Sequence, residues 1–243
     1  MILLSILVAT LVGGVVSVLL ASMVSLTILT KFADKMVAFA VGVLLTFALT
    51  DMLPEAVEQG LPLHDAGWIL LAGIIAFFLL EKMALWRHGH HEILPHHKVS
   101  MIVIGDGLHN FVDGILIAAA FLTDPALGWA AAVTVMAHEI PQEISDFMVL
   151  LDSGLSKRRA LFLNALSGAA MVLGGVLGWL ALESAQAAIP VILVIAGSSF
   201  IYIAVADLVP ELHRKRSLKD GAIQLGLILS GIATSLLAQH LHH

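Results

Sequence analysis

Apolar segments long enough to cross a lipid bilayer recur along nearly the whole sequence, and this repetition constrains the fold more than any single motif. A helix rises about 1.5 Å per residue, so roughly 20 apolar residues span a hydrocarbon core about 30 Å thick. On that ruler eight spans are expected, approximately at 3–28, 36–55, 67–86, 100–121, 127–150, 160–181, 189–210 and 221–240. With 59% of its residues hydrophobic and 12% charged, the chain lacks the polar surface that a water-soluble domain needs. The expected fold class is all-α, a polytopic membrane helix bundle in which residues 1–243 form a single transmembrane domain. The first apolar run starts at Ile2 with no Lys or Arg ahead of it and exceeds a signal-peptide core, so it is read as the first membrane helix.

Lys and Arg accumulate in cytoplasmic loops. Lys31 and Lys35 follow the first span, Lys82, Arg87 and Lys98 flank the connection after the third, Lys157, Arg158 and Arg159 follow the fifth, and Arg214, Lys215, Arg216 and Lys219 follow the seventh. The alternate connections, around 57–66, 122–126 and 182–188, carry none. Both termini are therefore expected outside. The net charge of -6 is a poor guide to partners, because several carboxylates lie inside apolar runs, and nothing points to nucleic acid. The loop at 87–98 gathers His88, His90, His91, His96 and His97. Clustered imidazoles of this kind make an adaptable cytoplasmic site for a borderline metal such as zinc, or simply a polar connector. His240, His242 and His243 carry less weight, since chain ends fray.

The second span echoes in the seventh. Asp51-Met-Leu-Pro54-Glu55 matches Asp207-Leu-Val-Pro210-Glu211, with Ala48 and Ala204 three residues earlier. Because the second span runs outward and the seventh inward, the two elements are expected on opposite membrane faces, the pattern of an inverted repeat. Gly174 with Gly178, and Gly226 with Ser230, have the small-xxx-small spacing that lets membrane helices approach closely.

Two polar runs interrupt the fourth and fifth spans: His109-Asn110-Phe111-Val112-Asp113 and His138-Glu139-Ile140-Pro141-Gln142-Glu143. Residues three or four apart share a helix face. His109 and Asp113 thus point together with Asn110 beside them, while His138 pairs with Gln142 and Glu139 with Glu143, Asp146 extending the latter pair by a turn. His109 lies about 14 Å into its span and His138 about 16 Å from the opposite face, so both are near the bilayer midplane. Pro141 removes a backbone donor and should kink its helix, freeing the carbonyl of Ala137. Mutual hydrogen bonding would account for one His and one carboxylate. It does not account for two His, three carboxylates and two amides at one depth, each costing about 2.5 kcal/mol or more if ionised there. The chain has no cysteine, so a metal site must be built from imidazole, carboxylate and amide ligands, which suits zinc, with iron, manganese and cadmium also compatible.

These runs resemble the signature of the ZIP (Zrt/Irt-like) metal transporters: His-Asn-x-x-Asp/Glu-Gly on one helix, here His109 to Gly114, and His-Glu-x-x-x-Glu or a related run on the next, here His138 to Glu143. The eight spans, the His-containing loop and the outside termini agree with that resemblance. It implies a 3+2+3 helix arrangement and a binuclear midplane site. In that site His109, Asp113, His138 and Gln142 would hold one metal, and Asn110, Asp113, Glu139 and Gln142 the other. Gln142 departs from the Glu or His common there, which brings Glu143 into consideration; Asn164 is a further ligand candidate. The resemblance also implies movement of divalent cations toward the cytoplasm, a homodimer, motion of the 4–5 helix pair against the rest of the bundle, and a place in the plasma membrane, or the inner membrane of a bacterium. Asp51 and Glu55 are then expected to collect cations outside, and Asp207, Glu211 and His213 to receive them inside.

Two other readings share these residues. An intramembrane zinc protease would need a second His four positions after His138, but position 142 is Gln. An exporter or proton-coupled antiporter would use the same site, since direction follows from gradients and gating.

Overall fold

The computed structural model describes residues 1–16, 18, 26–86, 95–214 and 217–240. Among these the chain is helical throughout, without strands. We number the helices α1 (Ile2–Leu11, passing into a π turn at Val12–Val16), α2 (Leu26–Phe47, a π turn at Ala48–Met52, then Leu53–Glu58), α3 (Leu63–Trp86), α4 (Pro95–Thr123), α5 (Pro125–Asp152), α6 (Lys157–Ser184), α7 (Ile189–Tyr202, a π turn at Ile203–Leu208, then Val209–Leu212) and α8 (Leu218–His240). They correspond one for one to the eight expected spans. Six are long and apolar enough to cross a membrane by length and composition, and the described part of α1 is a shorter apolar helix. The helix α5 falls outside that set because His138, Glu139, Gln142, Glu143 and Asp146 dilute its hydropathy, so its polar content marks the site.

The helices outrun the apolar windows at their ends. In particular α2 begins at Leu26, so Lys31 and Lys35 lie on the helix itself and not in a loop before it. Hydropathy locates the hydrocarbon crossing, whereas backbone hydrogen bonding continues into the interface, where a lysine stem can reach the headgroups.

The repeat suggested by Asp-x-x-Pro-Glu has a structural counterpart. Both Asp51 and Asp207 sit in π turns, and each turn leads into a short helix with Pro at its start. Pro54 and Pro210 cannot donate to the carbonyl four residues earlier, and the turn before them widens. The π turn of α2 packs against the first part of α7, and the π turn of α7 packs against the first part of α2, so the two helices run antiparallel with their Pro-Glu ends apart. Exchanging α1–α3 with α6–α8, and α4 with α5, maps the contacts of α2 onto those of α7: α2 on α8 becomes α7 on α3, and α2 on α5 becomes α7 on α4.

Glycine sets the closest approaches. The α4–α6 contact is built on Gly114, which faces the Met171 carbonyl, and on Gly174 and Gly178, which face Phe111 and Ile115. On α8 the expected pair is not the one used: Gly226 has nothing nearby and Ser230 is exposed, whereas Gly231 meets the backbone of α2 at Phe39 and Gly42. Small-residue spacing states that a close approach is possible, but the face it lies on depends on where the partner helix is. Helices α3 and α8 form the outer flanks, their apolar windows only 11% buried, as lipid-facing helices would be.

Candidate metal site

The site owes its register to a one-residue connection. Helix α4 ends at Thr123, and Asp124 caps α5, its Oδ1 accepting from Ala126 N at 2.8 Å and Leu127 N at 3.2 Å, with Pro125 at the first helical position. Phe121 packs its ring against Gly128 and edge-on to Trp129, closing the hairpin. His109 lies fifteen residues before Asp124 and His138 fourteen after it. Two antiparallel helices leaving one turn at the same rise must then place the two imidazoles opposite each other.

Four ligand atoms meet there. The two Nε2 atoms of His109 and His138 are 3.3 Å apart. Asp113 Oδ2 is 3.1 Å from His138 Nε2 and 3.8 Å from His109 Nε2. Glu139 Oε1 is 3.3 Å from His109 Nε2 and 3.4 Å from His138 Nε2. A tetrahedral set with metal–ligand bonds of about 2.0–2.2 Å has edges of about 3.3–3.6 Å. The five imidazole-containing separations, 3.1 to 3.8 Å, bracket that value, and all four atoms lie within 4.8 Å of one another, so they are grouped closely enough to share a zinc-sized cation. His138 Nδ1 lies 3.3 Å from the Thr134 carbonyl, which can only accept. When a metal takes the Nε2 lone pair, the proton on Nδ1 has this carbonyl as its acceptor.

Burial makes these groups poor company for one another. Asp113, His138, Glu139 and Glu143 are each 1% exposed or less. Asp113 Oδ1, both oxygens of Glu139 and both of Glu143 have no hydrogen-bond partner. Two unit charges about 4.5 Å apart repel by roughly 4 kcal/mol at an effective dielectric near 20, and a divalent cation removes that cost.

The remaining sequence candidates occupy distinct places. Gln142 Nε2 donates to Asp106 Oδ1 at 3.2 Å. Asn110 Nδ2 donates to the same oxygen at 3.1 Å. Asn164 donates to the Glu143 backbone carbonyl at 3.0 Å and so ties α6 to α5. Asn164→Ala is accordingly expected to cost about 1 kcal/mol of stability while leaving zinc affinity within about threefold; a larger loss of affinity at unchanged thermal stability would mark a ligand. His88, His90 and His91 lie outside the described residues, as do the side chains of His96 and His97.

A cavity of about 900 Å³ reaches His109 and His138 and is lined further out by Glu81, Asp146, Asp207 and Glu211. Its outer wall comes from the ends of α3, α5 and α7 that precede the Lys- and Arg-bearing connections. His213 is exposed beyond it. Tyr202 donates to Glu81 and stacks on Phe77, joining α7 to α3 along the wall. On the other side the His138 ring meets Phe200 edge-on at 5.7 Å and Phe200 meets Phe47 at 6.3 Å, both phenylalanines fully buried. Beyond them is a small pocket of about 140 Å³ that includes Asp51. Glu55 is half-buried and accepts from Gln59.

Sequence reasoning passed over Asp106, Glu81 and Tyr202. Asp106 was within reach of the spacing rule, standing three residues before His109 and four before Asn110. Glu81 and Tyr202 come from helices remote in sequence, and no local pattern links them.

A family model described as ZIP zinc transporter matches residues 93–239. Relatives include zinc transporter foi of Drosophila melanogaster, 38% identical over 138 residues, covering 56% of this chain and 19% of that protein. Metal cation symporter ZIP14 of Mus musculus is 42% identical over 113 residues, 46% of this chain and 23% of that protein. Zinc transporter ZIP6 of Pongo abelii is 36% identical over 126 residues, 52% and 17% respectively. The match thus spans about a fifth of the length of these relatives. With more than half of its residues covered by the family model, and that stretch containing both polar runs, the chain belongs to the ZIP zinc transporter family.

Proposed function

We propose that this chain carries divalent metal cations across a membrane, zinc first among them, with iron, manganese and cadmium as further substrates, through the site between α4 and α5. The observation that carries this reading is the set of four atoms from His109, Asp113, His138 and Glu139, clustered within 4.8 Å of one another on apolar helices, with His109 half-buried and the other three buried. Catalysis of peptide hydrolysis has less support: Gln142 stands where a second helical imidazole would be needed and is engaged by Asp106. The relatives' names, zinc transporter and metal cation symporter, support transport as well.

We read the direction as import, and the placement of the cavity supports that reading. The site communicates with the basic-loop side, whereas Phe47 and Phe200 close the other. With basic loops on the cytoplasmic side, this is an inward-facing arrangement, and in an importer Asp207 and Glu211 would lie on the release path and Asp51 and Glu55 on the entry side. A second ion near Asn110, Asp113 and Glu139, assembly as a homodimer, and residence in the plasma membrane or a bacterial inner membrane complete the reading.

Zinc uptake into vesicles reconstituted with the full chain tests it. Asp207→Asn is expected to slow uptake several-fold while zinc binding to the purified protein stays unchanged. Equal loss of uptake and binding would overturn the assignment of Asp207 to release.

A further inference from the structure

Two side-chain amides, from different helices, end on Asp106, which is buried on α4 one turn before Asn110. Asn110 Nδ2 donates to Asp106 Oδ1 at 3.1 Å and to the Asp106 backbone carbonyl at 3.2 Å. From α5, Gln142 Nε2 donates to the same Oδ1 at 3.2 Å. An amide is ambiguous toward a neighbour, because its oxygen accepts and its NH2 donates from nearly the same outline. An ionised carboxylate only accepts, so an amide beside it has one favourable orientation, nitrogen toward the carboxylate and oxygen away. Asn110 shows the consequence: its Oδ1 is buried without a partner. Asn110 adjoins His109, and Gln142 follows His138 by four residues and so shares its helix face. The amide ends that Asp106 leaves free thus belong to side chains bordering the imidazoles.

We propose that Asp106 is a positioning residue that sets which cations the site accepts: by holding the NH2 ends of Asn110 and Gln142, it commits both amides to presenting oxygen to the cargo. The proposal rests on the reading of the α4–α5 site as the place where cargo metal binds. Amide oxygen is a hard, neutral ligand suited to manganese, whereas zinc is served by the imidazoles of His109 and His138. Without the acceptor at position 106, each amide is free to turn its NH2 group toward the cation, which that group repels. The loss then falls on manganese more than on zinc, so Asp106 keeps the site open to harder ions. It does so through the two amides and not by touching the metal.

Manganese binding followed by electron paramagnetic resonance, and zinc binding by equilibrium dialysis, both on the purified full chain, test this assignment. Asp106→Leu, close in volume but without an acceptor, is expected to weaken manganese binding about tenfold and zinc binding no more than about threefold, the retained zinc also reporting an intact fold. Asp106→Asn keeps an oxygen that can receive both amides and is expected to hold manganese within about threefold of the parent protein. Manganese binding unchanged in Asp106→Leu would overturn the proposal. So would equal losses in the Leu and Asn variants, which would mean that the carboxylate acts on the cation by its charge or as a ligand. Asn110→Ala/Gln142→Ala is expected to reproduce the manganese loss, and Asp106→Leu added to that background to change it by less than about twofold. A further loss as large as the first would again overturn the proposal. Zinc binding unchanged in His109→Ala/His138→Ala would instead refute the reading of the α4–α5 site.

Discussion

Replacing His138 by Ala is expected to lower zinc affinity at least a hundredfold and to abolish zinc uptake into vesicles. His138 Nε2 stands 3.1 to 3.4 Å from each of the other three ligand atoms, so no rearrangement of the remaining three rebuilds the shell. Loss of an outer partner that merely orients a ligand costs about 10–100-fold in metal affinity, and loss of the ligand itself costs at least the upper end of that range. The variant also uncovers the unpartnered oxygens of Asp113 and Glu139 in the same buried space, where their mutual repulsion is no longer neutralised. Equilibrium dialysis of zinc against the purified chain reads the affinity, and vesicle uptake reads the function. An affinity within threefold of the parent protein would show that His138 is a packed core residue against Phe200 and nothing more.

Gly174→Ala has the second large effect, although residue 174 touches no metal ligand. A Cβ at this position would overlap the Phe111 backbone carbonyl, and backbone, unlike a flexible side chain, cannot step aside. The α4–α6 pair must separate, at a cost of about 3 kcal/mol. Phe111 lies between Asn110 and Asp113, so the displacement enters the site and weakens zinc binding along with stability. Gly226→Ala is the matched control: nothing lies within 4 Å of the added methyl, and stability should stay within about 0.5 kcal/mol. Thermal unfolding in detergent distinguishes the two. Equal midpoints would mean that the close α4–α6 approach carries no weight.

The contrast between Gly174 and Gly226 also shows where the sequence was legible. Both obey the same spacing, but only a knowledge of helix neighbours tells which is buried. Helix count, the α4–α5 pairing and the convergence of His109, Asp113 and His138 followed from apolar length and helical period alone. Glu139 is different: its place beside both imidazoles depends on the rotation of α5 about its axis. A ligand space between adjacent faces admits positions 138 and 139 together, a detail fixed by packing against α2 and α4. The turn of Gln142 toward Asp106 was hidden for the same reason, since a side-chain amide chooses among neighbours that only the folded bundle supplies. The repeat between Asp51 and Asp207 was visible as letters, and the π turns before Pro54 and Pro210 give it a physical cause.

Anomalous scattering from zinc-loaded crystals tests the central claim most directly. A peak about 2.0–2.2 Å from His109 Nε2, His138 Nε2, Asp113 Oδ2 and Glu139 Oε1 is the result the four-atom geometry predicts. Zinc bound only at the acidic outer wall of the cavity, with none between α4 and α5, would contradict it.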